Sequence, residues 1–235
     1  MAPNESRTRS PRGLSRDLIV RAATELIDEQ GTAHLSMRVL GQRLGVEAMS
    51  LYRYVRGRED LLEAIVARLL HDVEHGVEEG ITDHWQGYLQ TFAHRMRDIA
   101  VQHPQAFPLI ATWHPAAPWL RPPLRSLELV ESFIATLAGY GFTDEQIAET
   151  YRAFSSFLLG QLLLEATVRG AASSPAEEPL DEGGADIPNA DARIDVNDQP
   201  NVSRLRARLS EDHGLEEFET SLEMLLDRLD LALSQ

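Results

Sequence analysis

The side chains best suited to chemistry lie on one face of a short stretch near the amino end, residues 37–56. Apolar residues recur there at helical spacing, which leaves the others facing outward. The outward set is Glu47, Ala48, Met49, Ser50, Tyr52 and Arg53. These groups offer hydrogen-bond donors, hydrogen-bond acceptors and small apolar contacts, which is the chemistry that reads base edges and grips phosphates.

Two glycines position this face. Gly45 sits where a first helix must end and the chain must turn, and glycine adopts the left-handed conformation without steric cost. Gly41 has no side chain, so a second helix can cross close to it. The inward residues that join the two helices are Leu40, Leu44, Val46, Leu51 and Val55. The stretch predicts a helix-turn-helix whose second helix lies in the major groove of DNA.

Charge is distributed unevenly along a chain of 235 residues with a net charge of −15. Residues 1–58 carry ten arginines and six acidic residues, whereas the rest carries 12 and 31. The basic part coincides with the predicted DNA-binding face. With no cysteine, the chain has no disulfide, thiol nucleophile or cysteine-bound metal. We find no secretory signal and no run of 18 apolar residues, so a cytoplasmic protein is expected.

The rest of the chain reads as helices joined by polar breaks. Apolar spacing and capping residues predict a helix from about Ser15, its N-cap, to Gly31 and a second helix that Ser36 caps. Further helices are predicted over residues 59–79, 84–101, 124–138, 144–169, 201–211 and 215–233, and His103-Pro104 ends the helix over 84–101. Residues 104–123 hold six of the twelve prolines and are predicted to form short turns. Residues 170–200 are acidic and rich in Pro, Gly and Ala, and are predicted to form a mobile loop. No convincing strand is found.

The fold is therefore predicted to be all-α, with about nine to ten helices. Residues 1–13 form a basic tail that is expected to be disordered. Residues 14–60 form a three-helix DNA-binding domain that contains the helix-turn-helix. Residues 61–235 form a larger helical domain for effector binding and dimerisation.

Two short motifs, LYRYV at residues 51–55 and REDLL at residues 58–62, resemble the TetR family of transcriptional regulators. The resemblance covers residues 15–70. Farther on, WQGYL at 85–89, HP at 103–104, YGFT at 140–143 and LG at 159–160 are similar to the tetracycline-repressor subgroup. Such proteins are dimers that hold a DNA operator until a small molecule binds the C-terminal domain and spreads the DNA-binding domains apart.

This resemblance implies roles for particular residues on DNA. The base-contacting positions correspond to Arg38, Glu47, Ala48 and Met49. Phosphate contacts would fall on Ser36, Ser50, Tyr52, Tyr54 and Arg58. For Met49, packing on the recognition helix is an alternative equal to base contact. For Tyr52 and Tyr54, the alternative to phosphate contact is a place in the core.

A group of mostly apolar residues could line a ligand cavity or form an ordinary core. The candidates are Phe92, Met96, Trp113, His114, Trp119, Phe133, Tyr151 and Phe154. The resemblance adds Ile110, which aligns with a histidine that tetracycline repressors use to hold drug-bound magnesium. Isoleucine there argues against magnesium–tetracycline, so we expect a largely apolar effector and no cofactor.

Two further patterns concern assembly and metals. The apolar faces of residues 153–168 and 215–233 are predicted to form a homodimer interface, with burial inside one subunit as the alternative. His71 and His75 lie four residues apart, a spacing that can bind metal, but a solvated helix surface is the favoured interpretation.

These observations favour a ligand-responsive repressor that binds a palindromic operator as a dimer and that is nucleoid-associated in a bacterial cytoplasm when bound to DNA. The alternative is a DNA-binding regulator controlled by a protein partner through residues 170–200, without a small-molecule effector. No nucleophile–base constellation, phosphate-binding glycine loop or metal set is found, so an enzyme is not expected.

Overall fold

A computed structural model describes residues 13–79, 84–171, 199–211 and 213–233. Within these ranges the chain is all-helical, as predicted, and has no strand. The helices are α1 Arg16–Gln30, α2 Met37–Arg43, α3 Ala48–Leu51, α4 Arg58–Glu79, α5 Trp85–Gln102, α6 Leu127–Gly139, α7 Asp144–Val168, α8 Pro200–Leu209 and α9 Gly214–Leu233. None of the described helices is both long and apolar enough to cross a membrane.

Hydroxyl caps fix where several helices begin. Ser15 Oγ accepts from Leu18 N at 3.1 Å, and Ser36 Oγ accepts from Val39 N at 3.2 Å. Thr143 heads α7 with a reciprocal capping box, which satisfies amide groups that would otherwise lack partners at the helix start. The predicted starts of α1 and α2 are thereby confirmed.

The helix-turn-helix forms as the glycine pattern predicts. Gly45 has a φ of +66°, the left-handed conformation that allows the turn between α2 and α3. A Cβ on Gly41 would lie 2.9 Å from Val46 O, so the two helices approach with no room for a side chain. Leu51 and Val55 are buried in the same core cluster as residues of α1 and α4, as expected of inward residues.

Helix α4 connects the DNA-binding helices to the rest of the molecule. It packs on α1 and on α5, and α5 packs in turn on α7, while α9 lies along α7. The buried apolar residues from α1 to α9 form one cluster. The predicted domain boundary at residue 60 falls inside α4 and stays a prediction.

Two details differ from the sequence prediction. Helix α6 begins at Leu127 rather than at residue 124, because Ser126 caps it and the preceding backbone bends to let Arg125 N donate to Ile110 O at 3.0 Å. Helix α3 is only four residues long and continues as turns to Tyr54. Residues 1–12 of the predicted tail and residues 172–198 of the loop predicted over 170–200 lie outside the described residues.

The close approach at Gly41 gives a stability prediction. Gly41→Ala should lower the free energy of unfolding by about 1–3 kcal/mol, because the new methyl group meets rigid backbone atoms. Thermal unfolding followed by circular dichroism measures this. Gly139→Ala is the matched control, since its Cβ meets nothing within 4 Å. If both variants melt at the wild-type temperature, the tight crossing is contradicted.

Candidate DNA-binding surface and ligand cavity

The recognition surface is built on α2, α3 and the turn after α3. Met49 is 73% exposed, Tyr52 47% and Tyr54 37%, so none of the three is a core residue. Arg38 and Glu47 are also exposed, while Ala48 and Ser50 are half-buried. The structure thus brings seven of the nine predicted DNA-contacting residues into one short segment.

The other two predicted contacts flank this segment. Ser36 is exposed and caps α2, which leaves its hydroxyl proton available to a phosphate oxygen. Arg58 is the first residue of α4 and is exposed. Their roles on DNA remain predictions.

A carboxylate anchors the end of the recognition segment. Asp60 accepts two hydrogen bonds from Arg16, at 2.9 and 3.0 Å, and a third from Arg56 N at 2.7 Å. Arg16 also donates to Tyr54 O at 3.0 Å. The hydrogen bonds from Arg16 lower the pKa of Asp60 to about 2. This network ties α1, the turn after α3 and the start of α4 together, which fixes the angle at which α3 is presented.

A second ion pair holds α2 against α1. Arg43 donates to both oxygens of Glu29, at 2.6 and 2.7 Å, and reaches Glu25 at 3.4 Å. Its hydrogen bonds lower the pKa of Glu29. The bidentate geometry restrains α2 against α1, because two parallel hydrogen bonds fix the plane of the guanidinium group.

A small apolar cavity lies between α5, α6 and α7. Its volume is about 10 Å³, close to the space that one water molecule needs. It is lined by Phe92, Met96, Leu124, Leu129, Val130, Phe133, Tyr151, Ser155, Leu158 and Leu159. Two hydroxyl groups supply the polarity: Ser155, and Tyr151, whose Oη donates to Pro122 O at 3.0 Å. Burial raises the pKa of Tyr151 to about 12, so it is neutral.

The predicted ligand-binding residues do not all converge on this cavity. Phe92, Met96, Phe133 and Tyr151 line it, whereas Phe154 and Ile110 are fully buried outside its lining. The remaining three residues are elsewhere: Trp113 and Trp119 are exposed, and His114 lines a separate crevice beside α4 and the start of α6. The nine residues therefore do not all line one cavity, and their roles in ligand binding stay predictions.

Aromatic packing explains why the cavity is so small. Phe133 packs edge-on against Phe92 at 5.7 Å between ring centroids and against Tyr151 at 5.9 Å, and it stacks on Phe154 at 5.9 Å. Such rings fill most of the space between the three helices. In this conformation these aromatic residues resemble an ordinary core more than an open ligand site.

Two ion pairs with largely buried arginines were not predicted from the sequence. Arg97 donates to both oxygens of Glu165 at 2.7 and 3.0 Å, in a largely buried pair that joins α5 to α7. Arg125 is 7% exposed and donates to Glu59 at 2.6 Å. Opposite charges on elements predicted to pack together were the signal available, but isolated arginines usually read as surface residues.

A wider polar groove of about 850 Å³ runs between α1, α4 and α5. Its walls carry charged side chains of both signs, among them Arg21, Asp28, Arg68 and Asp98. At one end, His103 Nδ1 and Asp28 Oδ2 lie 2.7 Å apart, which links the end of α5 to α1. His103 caps the end of α5, as the sequence suggested.

Within the described ranges, no group of three metal-binding side chains is close enough to hold an ion. Of the two candidate metal ligands His71 and His75, the side chain of His75 lies outside the described residues.

Comparison with known proteins gives two family matches. Residues 19–65 match the family described as bacterial regulatory proteins, tetR family. Residues 79–231 match the tetracyclin repressor-like C-terminal domain.

Three individual proteins extend the comparison. An HTH-type transcriptional regulator of Saccharopolyspora erythraea is 32% identical over 70% of this chain and 66% of its own length. The HTH-type transcriptional repressor DrrR1 of Streptomyces coeruleorubidus is 24% identical over 94% of this chain and 79% of its own. The structure of ActR from Streptomyces coelicolor in complex with actinorhodin shares the fold, with a TM-score of 0.67, 22% identity, and coverage of 95% and 99% of the two chains.

The Arg16–Asp60 pair gives a pH-dependent prediction. The folded pKa of Asp60 lies below its usual 3.8, so the carboxylate stabilises the fold above about pH 4 and that contribution is lost as the pH falls towards 2. Asp60→Asn should cost about 1 kcal/mol of unfolding free energy at pH 7, less than the full shift implies because solvent screens the half-exposed Arg16.

Urea unfolding at pH 7, 4 and 3 measures the effect, and the difference from wild type should shrink as the pH falls. Asp144→Asn controls for loss of an acidic residue from the first turn of a helix. A destabilisation by Asp60→Asn that stays constant with pH would contradict the role of the ion pair.

Proposed function

The chain belongs to the TetR family of bacterial regulatory proteins, and on that basis we propose that it is a homodimeric, ligand-responsive transcriptional repressor. It binds a palindromic DNA operator through two copies of α3, and a small molecule releases it. The observation that carries the proposal is the exposed recognition segment, which is anchored at its end by Asp60. The repressor DrrR1, which aligns with most of this chain, supports repression as the outcome.

Exposure and side-chain chemistry support the proposed contacts to DNA. The Arg38 guanidinium can donate two hydrogen bonds to a guanine, and the Glu47 carboxylate can accept from a cytosine amino group. Ala48 and Met49 suit thymine methyl groups. The hydroxyls of Ser36, Ser50, Tyr52 and Tyr54 and the guanidinium of Arg58 hold phosphates without reading sequence, and Arg7, Arg9 and Arg12 add positive charge upstream.

Exposed apolar residues on α7 and α9 support a dimer. The larger apolar face of α9 packs inside the subunit through Phe218, Leu222 and Leu226, so the alternative of internal burial holds for that face. A second set remains in solvent: Leu164, Val168, Leu215, Met224 and Leu231, each 55% exposed or more. We propose that a second subunit covers this set and that the two helices from each copy form a four-helix bundle.

The cavity between α5, α6 and α7 is the proposed effector site. No charged side chain lines it, and its two hydroxyl groups supply the hydrogen bonds, so a neutral, largely aromatic molecule fits its chemistry. Effectors of ordinary size need several hundred cubic ångströms, so α6 and its preceding segment must move outward on binding. ActR, which has the same fold, is described in complex with actinorhodin.

The closed cavity also favours a second candidate function. A cavity of about 10 Å³ admits no effector without rearrangement, which is what a regulator controlled by a protein partner would show. Thermal shifts separate the two candidates. Stabilisation by neutral aromatic compounds that Ser155→Trp abolishes supports the effector site, and a complete lack of stabilisation across a broad apolar library supports the protein partner.

The DNA-binding proposal is tested by selecting duplexes from a random-sequence pool with the full chain. A two-fold symmetric sequence, with half-sites about one helical turn apart, supports the proposal. Enrichment of no sequence at low ionic strength rejects it, since phosphate contacts are strongest there.

Base reading and phosphate binding predict different mutant behaviour. Arg38→Ala should lose about 1–3 kcal/mol of binding free energy, mainly at one base position, because a bidentate contact is sequence-specific. Tyr52→Phe should weaken binding to all sequences alike, since a phosphate carries no sequence information. Fluorescence anisotropy on the selected duplex and on its single-base variants measures both. If Arg38→Ala weakens binding equally on selected and random DNA, Arg38 is not a base reader.

The exposed face of α7 predicts the oligomeric state. Leu164→Glu should turn the dimer into a monomer and remove high-affinity DNA binding, because a charge would be buried in the proposed interface. Sedimentation velocity measures the mass in solution. Ile134→Glu is the matched control, since Ile134 is 39% exposed on α6, outside the proposed interface. A wild-type protein that sediments as a monomer, or a Leu164→Glu variant that stays dimeric, would contradict this interface.

A further inference from the structure

Arg125 is a buried cation in the segment that leads into α6. It is 7% exposed, and its backbone N–H donates to Ile110 O at 3.0 Å. Its Nη1 donates to Thr112 Oγ1 at 3.1 Å and its Nη2 to Glu59 Oε2 at 2.6 Å, while its buried Nε has no partner among the described residues. Among the described residues, Glu59 is the one carboxylate that forms an ion pair with Arg125.

Glu59, the partner of Arg125, lies where α4 joins the DNA-binding domain. It is the second residue of α4, next to Asp60, which holds α1 and the end of the recognition segment through Arg16. The Glu59 side chain is 64% exposed, so water can solvate its carboxylate once the ion pair opens. When the ion pair opens, the buried Arg125 is left without a counter-charge, whereas the carboxylate of Glu59 is solvated by water. The cost of opening the pair therefore falls mainly on Arg125.

The other side of the same segment forms part of the cavity wall. Leu124, next to Arg125 in the chain, lines the cavity, and Pro122 O accepts the hydrogen bond from Tyr151. Consecutive Cα atoms are held about 3.8 Å apart, so an outward movement of Leu124 pulls on the backbone of Arg125. A hydrogen bond of 2.6 Å is lost after a displacement of about 1 Å.

We propose that Arg125 is the positioning residue through which occupancy of the cavity is passed to the DNA-binding domain, with Glu59 as the group that receives it. This inference rests on the effector site proposed above. Filling the cavity displaces Leu124, draws Arg125 away from Glu59 and frees the start of α4 to change its angle. Without a filled cavity, the ion pair holds α4 and the DNA-binding domain in one arrangement.

The test compares how much DNA binding weakens when the cavity is filled. The probe is N-phenyl-1-naphthylamine, a neutral aromatic molecule whose fluorescence rises in apolar sites. Saturating probe should weaken binding of the wild-type protein to its selected duplex by about tenfold or more. In Glu59→Ala the same probe should change binding less than about twofold, because the DNA-binding domain no longer senses Arg125.

Glu63→Ala is the matched control. Glu63 lies one turn farther along α4, is exposed and lines the same crevice, and Arg125 does not donate to it. This variant should respond to the probe as the wild type does. A response of Glu59→Ala equal to that of the wild type overturns the proposal, as does a loss of response in Glu63→Ala to the same degree.

Hydrogen exchange provides a readout that a merely structural role would not change. The probe should alter exchange at residues 58–66 in the wild type and leave it unaltered in Glu59→Ala. Destabilisation alone would raise exchange with and without the probe, whereas loss of coupling removes only the difference between the two.

A steric variant keeps the test independent of the probe. Ser155→Leu fills the cavity from within, so it should weaken DNA binding in the wild-type background and not in Glu59→Ala. Equal weakening in both backgrounds overturns the role of the ion pair while leaving the effector site intact. If neither the probe nor Ser155→Leu changes DNA binding by the wild-type chain, ligand control itself fails, and this inference fails with it.

Discussion

The structure depends on one shared helix, α4, whose apolar face is buried from Leu61 to Val73. Leu61 and Ile65 are fully buried near its start and Val73 is 1% exposed farther along, and the helix packs on both α1 and α5. At 1.5 Å per residue, its 22 residues span about 33 Å. The DNA-binding helices and the larger helical domain share α4 and one continuous core. A movement of either part therefore changes the packing of the other.

Most of the fold could be predicted from the sequence because its signals are local. Hydroxyl caps at Ser15 and Ser36 and the glycine turn at Gly45 depend only on nearby backbone, and each is present as expected. The start of α6 was missed because Leu124 continues the apolar spacing, although Ser126 carries the capping signal. The burial of Arg125 could not be predicted, since its carboxylate partner lies 66 residues away in the chain.

The recognition segment could be predicted from the sequence more fully than the cavity. Outward residues on a short helix follow from helical spacing, so the exposure of Met49 and Tyr52 could be predicted, whereas that of Tyr54 was implied by the family resemblance. A cavity depends on how side chains fill a volume, and the same aromatic residues build either a pocket or a core. Proline-rich loops also escape periodicity: Trp119 is 73% exposed, and Trp113 lies under the Arg121 guanidinium at 3.7 Å instead of lining the cavity.

The central claim is that occupancy of the cavity in the larger helical domain sets the distance between the two DNA-binding domains of the proposed dimer. Spin labels on Ala33→Cys measure this directly in the full chain, because the protein has no other cysteine and Ala33 is exposed outside the proposed DNA contacts. Double electron–electron resonance should give one inter-subunit distance on the selected duplex and a longer, broader distribution with N-phenyl-1-naphthylamine. Identical distributions with and without the probe, or no inter-subunit distance at all, would contradict the account.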